Sequence, residues 1–239
     1  MVRYDRNADF TGRDTFLTEL HDAFHNPSTY KYRGRIALFG LGGIGKTQIA
    51  LEYVYRFATT YTRIFWISAD TQASLLDGYR KIAELVGLQT FSVTNAFEIA
   101  EKAISWLERD ENWLLVIDNL DHLEILSPDA KEPNSKFLLL PSTGQRRHTL
   151  ITTRNRYADR IPAQAKEVTK FDRTQSLHLL YELSKISPRS DDSEEDNAAA
   201  RLVEELDHLP LAISQAAAYI RESQINFSAF LTDYVEYRR

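Results

Sequence analysis

The sequence of 239 residues contains no cysteine, which excludes disulfide bonds, thiol catalysis and zinc sites built on cysteine. It has no apolar run near the ~20 residues needed to cross a bilayer, and its opening MVRYDRNADF lacks the apolar core of a signal peptide. A basic excess is missing too, because the formal net charge is −5 at pH 7, whereas nucleic-acid-binding surfaces are normally basic. We therefore expect a cytoplasmic protein that binds neither membrane nor nucleic acid.

Short apolar runs alternate with stretches of helical periodicity between residues 35 and 171. Asp70 is a candidate N-cap for the helix after the second run, and Gly87 is a candidate end for that helix. Alternation of this kind predicts βαβ units and a parallel sheet flanked by helices. The runs that predict strands are Arg35–Gly40, Arg63–Ala69, Trp113–Ile117, His148–Thr153 and, as a fifth, Glu167–Phe171.

The pattern after Phe171 is helical throughout. The acidic run Asp191–Asp196 interrupts it, and such a run predicts a solvated loop. We therefore predict two domains, an α/β domain over residues 1–170 and a small helical domain over residues 171–239, with the boundary near 158–172. The helices predicted in the second domain are Thr174–Lys185, Asn197–Leu206, Leu211–Arg221 and Phe227–Tyr237.

A glycine-rich loop follows the first predicted strand. Gly40-Leu41-Gly42-Gly43-Ile44-Gly45-Lys46-Thr47 matches the P-loop pattern in full. The glycines let successive backbone N–H groups point at phosphates, and the following helix adds the positive end of its dipole. In this pattern Lys46 reaches the β- and γ-phosphates and the Thr47 hydroxyl is a Mg²⁺ ligand. The loop predicts binding of ADP or ATP with Mg²⁺.

Asp118 ends the apolar run Trp113–Ile117, and it is the candidate second ligand for the metal. A carboxylate there lies beside the phosphate loop if the two strands share a sheet, although an Asp at this place can also cap a turn. The next residue, Asn119, cannot accept a proton from water, and Asp121 is the nearest acid that could replace it as a base. Slow hydrolysis follows from this arrangement.

Arg154 comes directly after the predicted strand His148–Thr153. Ligands of open parallel sheets bind at the carboxyl ends of the strands, and guanidinium groups bind phosphate well. Arg154 is therefore a candidate sensor of the γ-phosphate. The alternative is an exposed charge without a role.

Five segments, taken in chain order, resemble the NB-ARC branch of the signal-transduction (STAND) P-loop ATPases. This NLR-like family occurs in apoptosis regulators, plant disease-resistance proteins and fungal relatives, and the fungal type with C-terminal tandem repeats is the most similar. The likeness covers nearly the whole chain. The segments are Phe10–Asp14 for the family's "hhGRE", Ile64–Ser68 for "vFWvs", Asp118-Asn119 for Asp-Asp, Thr152–Arg154 for "TTR" and His208–Ala212 for "GLPLA", where His208 replaces glycine.

The resemblance implies a five-stranded parallel sheet of order 5-1-4-3-2, followed by a first helical subdomain. Pro210, at the start of a predicted helix, is either a helix-start proline with Leu209 and Leu211 in the core, or it packs on the adenine or ribose. In the second case Ser214, one turn later on the same helix face, offers its hydroxyl to the nucleotide. The helical subdomain would then act as a lid. With Lys46, Asp118 and Arg154 as the catalytic set and Thr47 and Asp118 as metal ligands, the expected nucleotide contacts are Phe10, Gly12, Arg13, Gly42, Gly43, Ile44, Gly45, Lys46, Thr47, Gln48, Pro210 and Ser214.

The expected function is a nucleotide-dependent switch in innate immunity or programmed cell death. ADP would hold a closed state, ATP would favour a homo-oligomer of the full-length protein, and hydrolysis would be slow or absent. Family members continue into a winged-helix subdomain and a repeat domain, so we expect this chain to be an excised, monomeric nucleotide-binding core.

Two other functions are compatible with a phosphate loop. The first is an AAA+-like ATPase that remodels a protein or nucleic-acid partner, which Asn119 and the acidic balance disfavour. The second is a small-molecule kinase, which needs an arginine-rich lid over the phosphates. The stretch Leu120–Gly144, where such a lid would lie, contains no arginine.

Overall fold

The computed structural model describes residues 4–25, 32–89, 95–126, 139–188 and 194–237. Every helix in this part of the chain is too short or too polar to traverse a lipid bilayer. Its strands are β1 (Arg35–Phe39), β2 (Arg63–Ser68), β3 (Trp113–Asp118), β4 (Arg147–Thr153) and β5 (Gln164–Glu167). Its α-helices are α1 (Asp14–His25), α2 (Lys46–Arg56), α3 (Gln72–Leu85), α4 (Ala96–Arg109), α5 (Arg173–Ser184), α6 (Glu194–Glu205), α7 (Pro210–Ser223) and α8 (Phe227–Tyr237).

The chain forms two compact units. The first contains Asp14–Gly40 and Lys46–Glu167, together with the segment up to Asn7. The second contains Ala8–Arg13, Leu41–Gly45 and everything from Val168 onwards. The middle of the glycine-rich loop therefore belongs to the helical unit, and the two ends of that loop belong to the α/β unit.

The first unit is built on a five-stranded parallel sheet. Its strand order is β2-β3-β4-β1-β5, which is the predicted order 5-1-4-3-2 taken from the opposite edge. The predicted fold class is thus confirmed. The central strand β3 is buried along its whole length, as expected for a continuous apolar run covered by helices on both faces. The register pairs Ser68 with Asp118 and Phe39 with Thr153, so the carboxyl ends of the strands form one row.

Helix α3 packs closely on the edge strand β2. Gly78 allows this approach, because a Cβ atom at that position would lie 2.6 Å from the Cβ of Ile67. The helix is capped by Thr71, whose side chain accepts a hydrogen bond from the backbone of Ser74. The prediction that Asp70 caps this helix was wrong: its carboxylate instead accepts a hydrogen bond from the Ser68 hydroxyl, and the helix begins one residue later than a cap at Asp70 requires.

The fifth strand lies earlier than predicted. The sequence favoured Glu167–Phe171, whereas β5 covers Gln164–Glu167 and pairs in parallel with β1. This strand lies at the edge of the sheet and is only half-buried on alternate residues, so it needs no apolar run. The apolar residues Val168 and Phe171 are buried in the second unit instead.

The second unit is a bundle of the four helices α5 to α8. Its buried side chains include Leu180, Val203, Ile213 and Phe227. Asp172 caps α5 in a complete capping box with Gln175.

The predicted acidic loop was wrong in part. Glu194, Glu195 and Asp196 form the first turn of α6, where carboxylates interact favourably with the helix dipole. Glu195 also accepts hydrogen bonds from the backbone of Phe227 (2.9 Å) and Ser228 (3.4 Å), and so satisfies free N–H groups at the start of α8. Residues 191–193 lie outside the described part of the chain.

Candidate functional site

The phosphate loop, defined as Gly40–Thr47, joins β1 to α2. Gly40, Gly43 and Gly45 have φ angles of 151°, 76° and 97°, which L side chains rarely adopt. Apart from Gly45 itself and its two chain neighbours, no heavy atom of the described residues lies within 4 Å of the position that a Cβ atom of Gly45 would take. The loop therefore leaves open space beside its backbone, and this space suits a phosphate group at the start of a helix.

Lys46 is only 8% exposed although it carries an ammonium group. Its Nζ atom donates a 2.8 Å hydrogen bond to the Gly40 carbonyl, so the side chain folds back along the loop. Burial lowers the pKa of Lys46, while the carboxylates of Asp121 and Asp118 act in the opposite direction. An ammonium group can donate up to three hydrogen bonds and is suited to binding an anion.

Asp118 is 4% exposed at the end of β3. Its Oδ1 atom accepts hydrogen bonds from the hydroxyl groups of Thr47 (2.9 Å) and Thr152 (2.6 Å). Burial raises the pKa of Asp118, and these two hydroxyl groups oppose the increase. The structure thus brings together the Thr47 hydroxyl of the loop and a carboxylate oxygen at the end of β3, a donor set that fits Mg²⁺.

No proton-accepting side chain occupies the position after Asp118. Asn119 is exposed in a left-handed conformation, and its backbone N–H donates to the Thr152 hydroxyl at 2.9 Å. The carboxylate of Asp121 accepts two hydrogen bonds from Arg154, at the backbone N–H (2.5 Å) and at Nε (2.6 Å). Burial would raise the pKa of Asp121, but these bonds outweigh it and lower the pKa. Asp121 is therefore a weak base.

The "hhGRE"-like segment lies in the second unit from Phe10 to Arg13, and its last residue, Asp14, begins α1 in the first unit. Arg13 donates to the carbonyl of Thr169 at 2.5 Å, and its guanidinium lies 4.6 Å from the ring centroid of Phe171. The Thr11 hydroxyl is hydrogen-bonded to His178 of α5 at 2.9 Å. These contacts hold the segment on the bundle, with Phe10 half-buried next to it.

The "GLPLA"-like segment leads into α7, with Pro210 as the first residue of the helix. His208 has φ 54°, the left-handed conformation that glycine, the family's residue here, adopts at no steric cost. Its ring is hydrogen-bonded to the Ser176 hydroxyl at 3.0 Å. The Ser214 hydroxyl donates to the Pro210 carbonyl at 2.8 Å, so within this helix it retains only its acceptor capacity.

A contact that the sequence did not predict joins α7 to the phosphate loop within the second unit. The backbone N–H of Leu211 donates to the carbonyl of Gly43 at 3.1 Å. A Cβ atom at Gly43 would lie 3.1 Å from the Cβ of Leu211, so this glycine is required for the close approach. Nothing in the local pattern of either segment indicates the pairing, because the two residues are far apart in the sequence.

The remaining predicted contacts are also on the loop or its helix. Ile44 is buried, and the Gln48 side chain accepts a hydrogen bond from Asn7 at 3.1 Å. Sequence analysis included Thr152 only as part of the "TTR"-like segment and assigned it no contact of its own. It lies beside Asp118 because Ile117 pairs with Ile151 in the sheet, a register that only the strand order reveals.

Gly43→Ala is expected to destabilise the protein more than Gly87→Ala. Both glycines have nearly the same φ (76° and 73°), so both variants carry the cost of a left-handed alanine. Only the new methyl group at position 43 meets another side chain, and overpacking of this kind adds about 1 kcal/mol. Thermal unfolding of the two variants measures the difference. Equal melting temperatures would show that Leu211 moves aside freely.

The parallel sheet, the phosphate loop, the buried Lys46 and Asp118, and the Thr47 hydroxyl bound to Asp118 define a nucleotide-binding module of the P-loop NTPase class. The model of the NB-ARC domain matches residues 29–184, which is more than half of the chain. The chain therefore belongs to the NB-ARC family, as its motifs predicted.

Individual proteins with similar sequences or folds agree with this. The chain is 33% identical over 98% of its length to a nucleotide-binding leucine-rich repeat (NLR)-like protein of the fungus Hyaloscypha variabilis, and it spans 24% of that relative. A Walker-type ATPase of Pyrococcus abyssi has a similar fold, with a TM-score of 0.62, 14% identity and coverage of 98% of this chain and 73% of that one. The ORC1 protein of Aeropyrum pernix, solved in complex with DNA, has a TM-score of 0.55, 17% identity and coverage of 90% and 61%.

Proposed function

We propose that this chain is the ADP- and ATP-binding switch module of an NLR-like signalling protein, with slow hydrolysis. The observation that carries the proposal is a complete phosphate site without a base. Lys46, Thr47 and Asp118 are in place, while Asn119 occupies the position after Asp118 and the Asp121 carboxylate is bound to Arg154. We expect a site of this kind to hold its nucleotide and to hydrolyse it slowly.

Residues of the phosphate loop, together with Asp118 at the end of β3, would hold the phosphates and the metal. Lys46 would direct its ammonium group to the β- and γ-phosphates, and Thr47 and Asp118 would supply oxygen ligands. Bound Mg²⁺ would neutralise phosphate charge. Backbone N–H groups of Gly42, Gly43, Ile44 and Gly45 would point at the phosphates, with Gln48 in the first turn of α2.

The residues of the second unit would bind the adenosine end. Phe10, Gly12 and Arg13 would lie along the base, and Pro210 would pack on the adenine or ribose. Ser214 can accept a hydrogen bond from a ribose hydroxyl while it donates to Pro210, which is worth about 1 kcal/mol. We propose accordingly that the nucleotide helps to hold the helical unit in place as a lid.

The biological role follows the fungal NLR-like relative. This chain spans 24% of the length of that relative, so the role of the whole protein is part of the proposal. We propose that ATP in place of ADP promotes homo-oligomerisation of the whole protein in innate immunity or cell death, in the cytoplasm. On the same basis the present chain would be a monomer and would bind no nucleic acid.

Turnover distinguishes the switch from an AAA+-like remodelling ATPase. We expect steady hydrolysis far below one ATP per second, compared with an enzyme median of about 10 per second. Asp118→Ala should weaken binding of Mg-ATP more than that of ADP, since the carboxylate acts through the metal. Calorimetry and single-turnover assays measure both effects. Turnover near the enzyme median, lost in Asp121→Asn, would show that a working base exists and that the switch proposal is wrong.

A further inference from the structure

Asp121 and Arg154 form a two-point contact at the carboxyl edge of the sheet. One carboxylate oxygen accepts from the Arg154 backbone N–H (2.5 Å) and the other from Nε (2.6 Å). The acid is the more enclosed partner, with a side chain 15% exposed, whereas the arginine side chain is 68% exposed. Asp121 therefore fixes the Nε end of the Arg154 guanidinium and leaves the terminal Nη groups directed outward.

The part of the arginine that Asp121 does not contact is the part suited to phosphate. Over the described residues, the two terminal Nη groups of Arg154 have no acceptor, because its hydrogen bonds to protein use the backbone N–H and Nε. A guanidinium presents parallel N–H groups that bind phosphate in a bidentate manner. Fixing Nε also removes much of the rotamer freedom that this long side chain would otherwise lose on binding.

Hydrogen bonds between the two neighbouring loops hold the backbone around both residues. The backbone of Leu120 donates to the Thr152 carbonyl at 2.8 Å, and Asn155 donates to the Asp121 carbonyl at 3.5 Å. Thr152, two residues before Arg154, donates to Asp118 at 2.6 Å, and Asp118 also accepts from Thr47 of the phosphate loop at 2.9 Å, so the pair lies at the same edge of the sheet as that loop. A terminal phosphate near Lys46 would thus lie near a guanidinium that is already oriented.

We infer that Asp121 is a positioning residue, which orients Arg154 toward the terminal phosphate and so sets the preference of the site for triphosphate over diphosphate. The inference rests on the proposed nucleotide function. It assigns to Asp121 a role other than that of a base, because both carboxylate oxygens are engaged by Arg154. The same carboxylate could instead repel the γ-phosphate. Removing it would then raise the affinity for triphosphate, whereas loss of the positioning role would lower that affinity.

The experiment compares affinities for Mg²⁺ with the non-hydrolysable analogue AMP-PNP and for ADP by calorimetry. Asp121→Asn keeps the size of the side chain but turns an amide NH₂ group toward the Nε donor. We expect it to bind AMP-PNP about five- to tenfold more weakly, the cost of one charge-assisted hydrogen bond, and to bind ADP as wild type does. Asp159→Asn, an exposed acid outside the site, is the charge-matched control and should change neither affinity.

A double-mutant comparison tests whether Asp121 acts through Arg154. Arg154→Ala should lose at least as much AMP-PNP affinity as Asp121→Asn, and the double variant should be no weaker than Arg154→Ala alone. Arg154→Lys keeps the charge but lacks Nε and the fork, and should behave like Asp121→Asn. If Asp121→Asn does not fold, the AMP-PNP affinity of Arg154→Lys is measured instead to test the contact between the two residues.

Several results would overturn the inference. AMP-PNP affinity that is unchanged or tighter in Asp121→Asn would make the carboxylate a neutral or repulsive group, and additive losses in the double variant would separate its effect from Arg154. A wild-type protein that binds neither nucleotide would overturn the proposed function and the inference together. Normal wild-type binding with an unaltered affinity ratio in Asp121→Asn overturns the inference alone.

Discussion

Lys46→Ala is expected to abolish most of the thermal stabilisation that ADP gives to the wild-type protein. With micromolar affinity and nucleotide at 100 times its Kd, binding adds about 2.7 kcal/mol to the free energy of unfolding. For a chain of this size that corresponds to a rise in melting temperature of about 5–10 °C. The ammonium group supplies the charge-assisted hydrogen bonds to phosphate, so its removal should lower ADP affinity by two orders of magnitude or more.

The melting temperature without nucleotide must be measured as well, because the Lys46 side chain is buried and bound to the Gly40 carbonyl. The quantity to compare is the shift on adding ADP, which is independent of a lower starting value. Lys102→Ala, at an exposed position of α4, removes the same charge far from the loop and should leave the shift intact. If Lys46→Ala retains the full shift, the phosphate site is elsewhere.

Acidification is expected to destabilise the protein through His148, at the buried start of β4. Its ring lies between the Tyr61 hydroxyl (2.8 Å) and the Gln145 carbonyl (3.1 Å), and it stacks on Phe24. Burial and the neighbouring His25 lower its pKa to about 3. The unfolded chain binds a proton near pH 6.5 while the native ring stays neutral, so stability falls by about 1.4 kcal/mol per pH unit below that value.

Between pH 6 and pH 4 this histidine alone should remove about 2–3 kcal/mol of stability. Urea unfolding of wild type and His148→Gln across that range isolates the effect, because all other titrating groups are shared. The variant should show a shallower dependence on pH, by about one proton. Parallel curves for wild type and His148→Gln would mean that His148 is protonated in the native state.

The sequence predicted the sheet because the buried strands carry a strong and local signal. The run Trp113–Ile117 is apolar at every position, and β3 is indeed buried on both faces. The edge strand β5 carries no such signal, since Gln164-Ala165-Lys166-Glu167 pairs with only one neighbour. Its place is decided by pairing with β1, a long-range property that periodicity does not contain.

The site was predictable where residue spacing determines the chemistry. The spacing of Gly40, Gly45, Lys46 and Thr47 indicates a phosphate loop before any coordinates are known. The contacts of Asp121 with Arg154 and of Gly43 with Leu211 were not predictable, because each joins loops that only the tertiary fold brings together. Composition also could not reveal that Glu195 of α6 would accept hydrogen bonds from the backbone at the start of α8.

The hydrogen bond between Gly43 and Leu211 has a consequence for the order in which this protein matures on the ribosome. Chains emerge from the N-terminus at about 5–20 residues per second, and domains fold as they appear. The sheet strands are all made before α7, whereas the carbonyl at the middle of the phosphate loop gains its donor only after residue 211 has been synthesised. A nascent chain would thus complete the strands of its sheet before Gly43 gains this hydrogen bond, so the middle of the phosphate loop reaches its final contacts only after α7 has been made.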